Sequence, residues 1–203
     1  MRDSPERRLL AALFASPHGR FSLRDLSRLT GVSLGSVSKY VRKLDQEGLA
    51  ALERRPNALY VAANLESERF RLLKRASNLE RLSESGLIKR LEEELRPACI
   101  VLFGSYARGE DTEESDIDLA LIGGRNGAID RKPFEKRLGR EINTVLLKGT
   151  SGLSGEFRHA LVNGIVLGGQ LELDDEIPRA SPPRQGQVGH GRRAPQPRAH
   201  KER

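Results

Sequence analysis

Apolar residues recur at helical spacing through the first part of the chain and come in short unbroken runs later, and that change of rhythm divides it. In PERRLLAALFA (5–15), Leu9, Leu10, Leu13 and Phe14 share one helical face. Ser22 is placed to cap a short helix from Leu23 to Leu29, and Thr30-Gly31 makes a turn. Ser33 caps the next predicted helix, Leu34 to Glu47, whose buried side is Val37, Val41 and Leu44, and Gly48 supplies a left-handed stop. Two extended runs, Leu49–Arg54 and Ala58–Ala62, follow as a two-stranded ribbon around Arg55-Pro56-Asn57.

Residues 66–96 read as helix with a break at Ser83–Gly86. Its leucines, Leu72, Leu73, Leu79, Leu82, Leu87, Leu91 and Leu95, suit packing on either neighbouring unit or a seam with a second copy. Pro97 ends it, and ACIVLF (98–103) follows as a strand apolar enough to be buried on both faces. Gly104-Ser105 turns the chain into a short helix, Tyr106–Gly109. Next come a strand Ile117–Ile122, a helix over 130–139 and a strand Glu141–Leu147. A helix from Ser154 to Asn163 and a strand Gly164–Leu167 complete the pattern. This alternation predicts an α/β (α+β) protein with a small mixed sheet over 98–173, behind a helical unit at 1–63 and a connector at 64–97. From Asp174 to the end periodicity is lost among Pro, Gly, Gln and Arg, and 174–203 reads as a disordered basic tail.

Charge sharpens this division. Residues 1–63 carry a net +5, residues 98–176 a net −5, and residues 177–203 a net +6. A basic front and tail suit nucleic acid, whereas the acidic middle needs metal ions or its own basic groups to accept a phosphate-bearing ligand. The single cysteine, Cys99, excludes an internal disulfide and reads as a small buried strand residue in a reducing, cytoplasmic protein. The four histidines form no cluster, and no stretch has the length of a membrane helix.

The chemistry concentrates in LFGSYARGE (102–110) and SDIDLALI (115–122). A Gly-Ser pair between a buried strand and a helix presents backbone N–H groups to an anion, with the Ser105 hydroxyl and Arg108 near. Asp116 and Asp118, two apart at a strand start, project from one face, while Ile117, Leu119 and Leu121 point to the other. Paired carboxylates repel unless a cation lies between them, and Mg²⁺ favours such oxygens together with substrate phosphates.

GSYARGEDTEESDIDLALI resembles the signature of the polymerase-β-like nucleotidyltransferases, especially the minimal members of that superfamily. The resemblance implies that Gly104 and Ser105 hold the β- and γ-phosphates of a nucleoside triphosphate, ATP foremost. It also implies that Asp116 and Asp118 hold two Mg²⁺ ions while a hydroxyl attacks the α-phosphate. The family adds a third carboxylate on a later strand, where this chain places Asn143. Asn is neutral and a poor substitute; Glu141, two residues earlier on the same face, is the alternative.

LRDLSRLTGVSLGSVSKYVRKLDQEGL (23–49) resembles winged helix-turn-helix regulators of bacterial and archaeal type. On the 34–47 helix, Ser36, Ser38, Lys39, Arg42 and Lys43 lie away from the core side and suit a DNA major groove, with Arg54 and Arg55 at the wing. Such domains also serve as protein–protein modules. Two functions follow as expectations. The first is a Mg²⁺-dependent nucleotidyltransferase whose acceptor is a small molecule, a nucleic acid, or a Tyr or Ser of a partner protein, a toxin where the enzyme is an antitoxin. The second is a DNA-binding regulator that senses nucleotide without turning it over, as Asn143 favours. A homodimer is compatible with either.

Overall fold

The structure is a computed structural model describing residues 4–56 and 58–173, so the tail reading, with His190 and His200, lies outside the described residues. The elements run α1 (Pro5–Ala15), β1 (Arg20–Ser22), α2 (Leu23–Thr30), α3 (Leu34–Gln46), β2 (Ala50–Arg55) and β3 (Ala58–Ala63). They continue as α4 (Glu68–Ser85), α5 (Leu87–Leu95), β4 (Cys99–Phe103), α6 (Gly104–Arg108) and β5 (Ile117–Ile122). Last come α7 (Lys132–Leu138), β6 (Ile142–Leu147), α8 (Gly155–Val162) and β7 (Ile165–Gly169).

Serine hydroxyls start most of the longer helices by accepting a backbone N–H that the first turn leaves unpaired. Ser4, Ser22, Ser33, Ser67 and Ser154 all do so, and Ser22 with Asp25 closes a full capping box. Leu9, Leu13, Leu26, Val37, Val41 and Leu44 meet in the first core. The expected two-stranded ribbon is a three-stranded antiparallel sheet in the order β1-β3-β2, because Arg20–Ser22 pairs with Tyr60–Ala62. At three residues β1 is too short to display an alternating pattern, which is why the chain gave no sign of it.

The connector breaks at Gly86, in the left-handed region at φ 82°, so α4 and α5 are separate helices. The buried column of α4 is Phe70, Lys74, Asn78, Leu82 and Ser85, stepping by about one helical turn. Leu72 and Leu73, expected to pack, are at the surface instead, because the polar Lys74 and Asn78 occupy the inward positions. The first half of α4 belongs to the first core, where the Phe70 ring lies 5.0 Å from that of Phe14, and farther along the helix Glu80 pairs with Arg7 of α1. The second half of α4, with α5, supplies Leu82, Leu87, Leu91 and Leu95 to the second core. Gly109 lies directly on α4: a Cβ there would stand 2.5 Å from the Arg71 carbonyl oxygen.

The second sheet has the order β6-β5-β4-β7, with β4 antiparallel to both neighbours and β5 parallel to β6. Ile117, Leu119 and Leu121 face the larger core under α4–α7, while Ala120 and Ile122 join Cys99, Val101 and Leu161 on the other side. The buried run from Cys99 to Leu102 lies at the centre of this sheet, covered on both faces as its composition predicts.

Candidate functional site

At the end of β4 the chain turns through Gly104, whose φ of 77° suits glycine. Phe103 pairs with Asp118 across the antiparallel strands, which brings the turn against that carboxylate. A Cβ on Gly104 would fall 2.5 Å from Asp118 Oδ2, so glycine keeps open the space beside it. No side chain caps the start of α6, which leaves the leading N–H groups to an anion. Ser105 sits half-buried at this turn, and its carbonyl accepts from Glu110 N–H.

Asp116 immediately precedes β5 and Asp118 lies within it, both half-buried. In the parallel pairing Asp118 stands opposite Asn143, on the face shared by all three side chains. The Asn143 amide nitrogen donates to Asp116 Oδ2 at 3.0 Å and to Asp118 Oδ1 at 3.3 Å. The amide thus takes the place a cation would occupy between the carboxylates. The donor set fits a hard divalent ion: two carboxylates, with phosphate oxygens and water to complete the shell. Among the described residues no group of three His, Cys, Asp or Glu side chains is placed to hold a metal.

Among the described residues no hydrogen bond joins the Glu141 side chain to this triad. Glu141 precedes β6, its carbonyl accepts from Ile117 N–H, and its exposed side chain lines a shallow cleft of about 370 Å³ with Glu113, Glu114, Asp116, Glu135 and Arg140. Arg108, at the last residue of α6, donates to Glu110 at 2.7 Å.

Sequence reasoning passed over the groups that hold the Asp116 loop. Asp111 is fully buried and accepts from Asn78 at 2.8 Å and from Arg140 at 3.2 Å, with the Lys74 ammonium 3.3 Å from its carboxylate. Burial pushes the Lys74 pKa below its ordinary value, opposed by the Asp111 carboxylate beside it. Arg140 also grips the carbonyls of Thr112 and Ser115. The available signal was Lys74 and Asn78, polar residues at the inward spacing set by Phe70 and Leu82.

On the first domain, α3 presents Lys39 and Arg42 to solvent, and Ser38 is half-buried. Ser36 bonds the Ser33 cap, with Oγ atoms 3.0 Å apart. Lys43 is engaged by Glu6 at 2.9 Å and lies 3.6 Å from Glu47. At the wing, Arg54 is exposed, while Arg55 pairs with Glu53 at 2.9 Å and lies 5.4 Å from the Tyr60 ring centre. No helix among the described residues is long and apolar enough to cross a membrane.

Residues 84–149 match the family model of the nucleotidyltransferase domain, and residues 2–50 match that of winged helix-turn-helix DNA-binding domains. Three proteins of Methanocaldococcus jannaschii, each bearing the name "Putative protein adenylyltransferase", are similar in part. One is 31% identical over 80 residues, 38% of this chain and 62% of the relative. Another is 71% identical over 24 residues, 12% of this chain and 24% of the relative. A third is 61% identical over 33 residues, 16% of this chain and 33% of the relative. The chain thus spans less than two thirds of the length of each of these relatives. No solved structure matches it. The glycine turn, the carboxylate pair and both domain matches agree: this chain carries a nucleotidyltransferase domain behind an N-terminal winged helix-turn-helix domain.

Proposed function

We propose that this protein transfers AMP from ATP to a hydroxyl of a partner protein, and that its winged-helix domain binds DNA. The units are taken as 1–63, a connector 64–97 and a transferase domain 98–173. The observation that carries this reading is the meeting of Gly104 with Asp118: only a glycine lets the turn with its uncapped N–H groups close on the carboxylate without a clash, which sets anion donors beside a candidate metal ligand. Gly104 and Ser105 N–H groups would hold the β- and γ-phosphates, and Asp116 and Asp118 would hold Mg²⁺, which supplies charge neutralisation at the phosphates. The acceptor oxygen then bonds the α-phosphorus as the bond to the pyrophosphate oxygen breaks, and pyrophosphate leaves. Asn143 cannot take the acceptor's proton, which falls to solvent or to Glu141 at the cleft edge. The names of the relatives support a protein acceptor over a small molecule. A toxin modified by an antitoxin, in the cytoplasm, is one form of this reading.

A second reading is favoured by one contact. With Asn143 donating to both carboxylates, the domain would bind nucleotide and Mg²⁺ and not turn them over, leaving a nucleotide-responsive DNA-binding regulator. Isothermal titration of ATP and the other triphosphates with Mg²⁺ tests the shared premise, comparing wild type with Asp116→Ala/Asp118→Ala. Metal-dependent binding that the double variant loses supports the site; no binding of any triphosphate by wild type sinks both nucleotide readings. Transfer of α-labelled AMP to protein in a lysate of the source cells then separates enzyme from sensor.

A further inference from the structure

The stretch that delivers Asp116, residues 110–116, has no regular secondary structure, yet it is anchored at nearly every residue. Asp111 lies under α4 with all of its polar contacts inside the protein: Asn78 and Lys74 from above, Arg140 from the β6 side. Lys74 also donates to the Asp111 carbonyl. One guanidinium, that of Arg140, holds Asp111, Thr112 and Ser115 together, and Thr112 N–H donates to Ser115 Oγ at 2.9 Å. Ser115 is the residue before Asp116, and on the other flank Ile117 N–H bonds the Glu141 carbonyl at 2.9 Å.

Burying three ionised groups is costly, and an apolar cluster of similar volume would stabilise the fold as well or better. What the ions add is direction: Arg140 offers N–H groups at fixed angles, and Asp111 accepts along separate lone pairs. That direction is spent on the loop whose last residue is a member of the carboxylate pair. We propose that Lys74, Asp111 and Arg140 are positioning residues for Asp116, so that the connector helix, rather than the sheet alone, sets the spacing of the metal-binding carboxylates. This rests on the reading of Asp116 and Asp118 as the metal ligands. It extends that reading to the connector, because Lys74 lies one helical turn from Phe70, which is buried in the winged-helix core.

The test is Mn²⁺ binding to the full chain in the presence of ATP, with free Mn²⁺ counted by electron paramagnetic resonance and melting temperature measured alongside. Asp111→Asn and Lys74→Met each alter the anchor, and Leu91→Ala opens a cavity in α5 as a control for destabilisation alone. Asp111→Asn keeps the shape of the side chain but leaves two buried cations without their carboxylate, so the double variant Lys74→Met/Asp111→Asn, which removes one of those cations, is measured beside it and read in the same way. The expected result is Mn²⁺ affinity weakened about tenfold in Asp111→Asn, and unchanged in Leu91→Ala at a comparable melting temperature. Wild-type affinity in folded Asp111→Asn overturns the positioning role while leaving the metal site standing. Absence of any Mn²⁺ binding by wild type overturns the metal site, and the positioning role with it.

Discussion

Asn143 stands opposite Asp118 in the parallel β5–β6 pairing, and its amide lies within 3.3 Å of a carboxylate oxygen of both Asp118 and Asp116. The carboxylates are held together by a neutral donor where the superfamily it resembles places a third acid. Asn143→Asp therefore removes two hydrogen bonds and sets three carboxylates side by side. The variant is expected to melt below wild type without divalent ions and to gain more stability than wild type when Mn²⁺ is added. Its Mn²⁺ affinity should rise about tenfold, equivalent to about 1.4 kcal/mol. Differential scanning fluorimetry with and without Mn²⁺ measures both effects. An affinity no higher than wild type would show that the amide does not stand at a ligand position.

Gly104→Ala should separate backbone strain from ligand exclusion. At φ 77° an alanine costs about 1–2 kcal/mol, and its Cβ would also push on Asp118 Oδ2 from 2.5 Å. Gly48→Ala is the matched control, with a φ of 70° and open space around the added Cβ. Both variants should lose stability in urea melts, Gly104→Ala at least as much as Gly48→Ala because of the contact with Asp118, but only Gly104→Ala should weaken Mg²⁺–ATP binding, by about tenfold or more. Equal ATP affinities would place the triphosphate elsewhere.

Much of this geometry was legible in the chain, and the reasons are local. Cys99 to Leu102 declared a central strand because a run buried on both faces needs no alternation. Ser22, Ser33 and Ser154 declared helix starts because capping is read within four residues. The place of Asn143 beside the aspartates was implied by the family resemblance alone, and the parallel pairing sets it opposite Asp118. The inward turn of Lys74 and Asn78 was not legible. Their shared partner, Asp111, is 33 positions from Asn78 and 37 from Lys74, and a helix rich in charge gives no sign of which charges are satisfied by distant loops. For the same reason Leu72 and Leu73, which suited packing on a neighbouring unit or a seam with a second copy, do not pack within the chain and lie at its surface.

Glu113 gives the Asp116 loop a second link to the first domain, and this link should respond to acid. Its own backbone N–H, then the Ser16 hydroxyl, His18 and Arg140, hold its carboxyl below the ordinary 4.5, against a smaller opposing effect of burial. A carboxyl depressed in the folded state stabilises it above the unfolded value, and that contribution is lost as pH falls through the folded pKa. The loss should therefore fall below pH 4.5. A carbon-detected NMR titration of the Glu113 carboxyl is expected to show a midpoint below that of a free glutamate, moving upward in Ser16→Ala. An unmoved midpoint would mean that the loop and the first domain are not in contact through this side chain.

Helix α3 carries cations of two kinds, and salt dependence should tell them apart. Arg42 is exposed on α3, whereas Lys43 is already paired with Glu6 at 2.9 Å and lies near Glu47. A phosphate contact releases counterions, so each one lost lowers the slope of log affinity against log salt by about 0.9. Arg42→Ala should produce a change of that size on a random duplex followed by fluorescence anisotropy across a KCl series. Lys43→Ala should produce little, because Glu6 already neutralises the charge and a phosphate would have to displace it. Lys39→Ala is expected to behave like Arg42→Ala, since its ammonium lies beside the Tyr40 ring, 5.9 Å from the centroid, and not against a carboxylate. If the triple variant Lys39→Ala/Arg42→Ala/Lys43→Ala binds duplex with undiminished affinity and slope, this face of the winged helix does not meet DNA, and a protein partner becomes the reading to pursue.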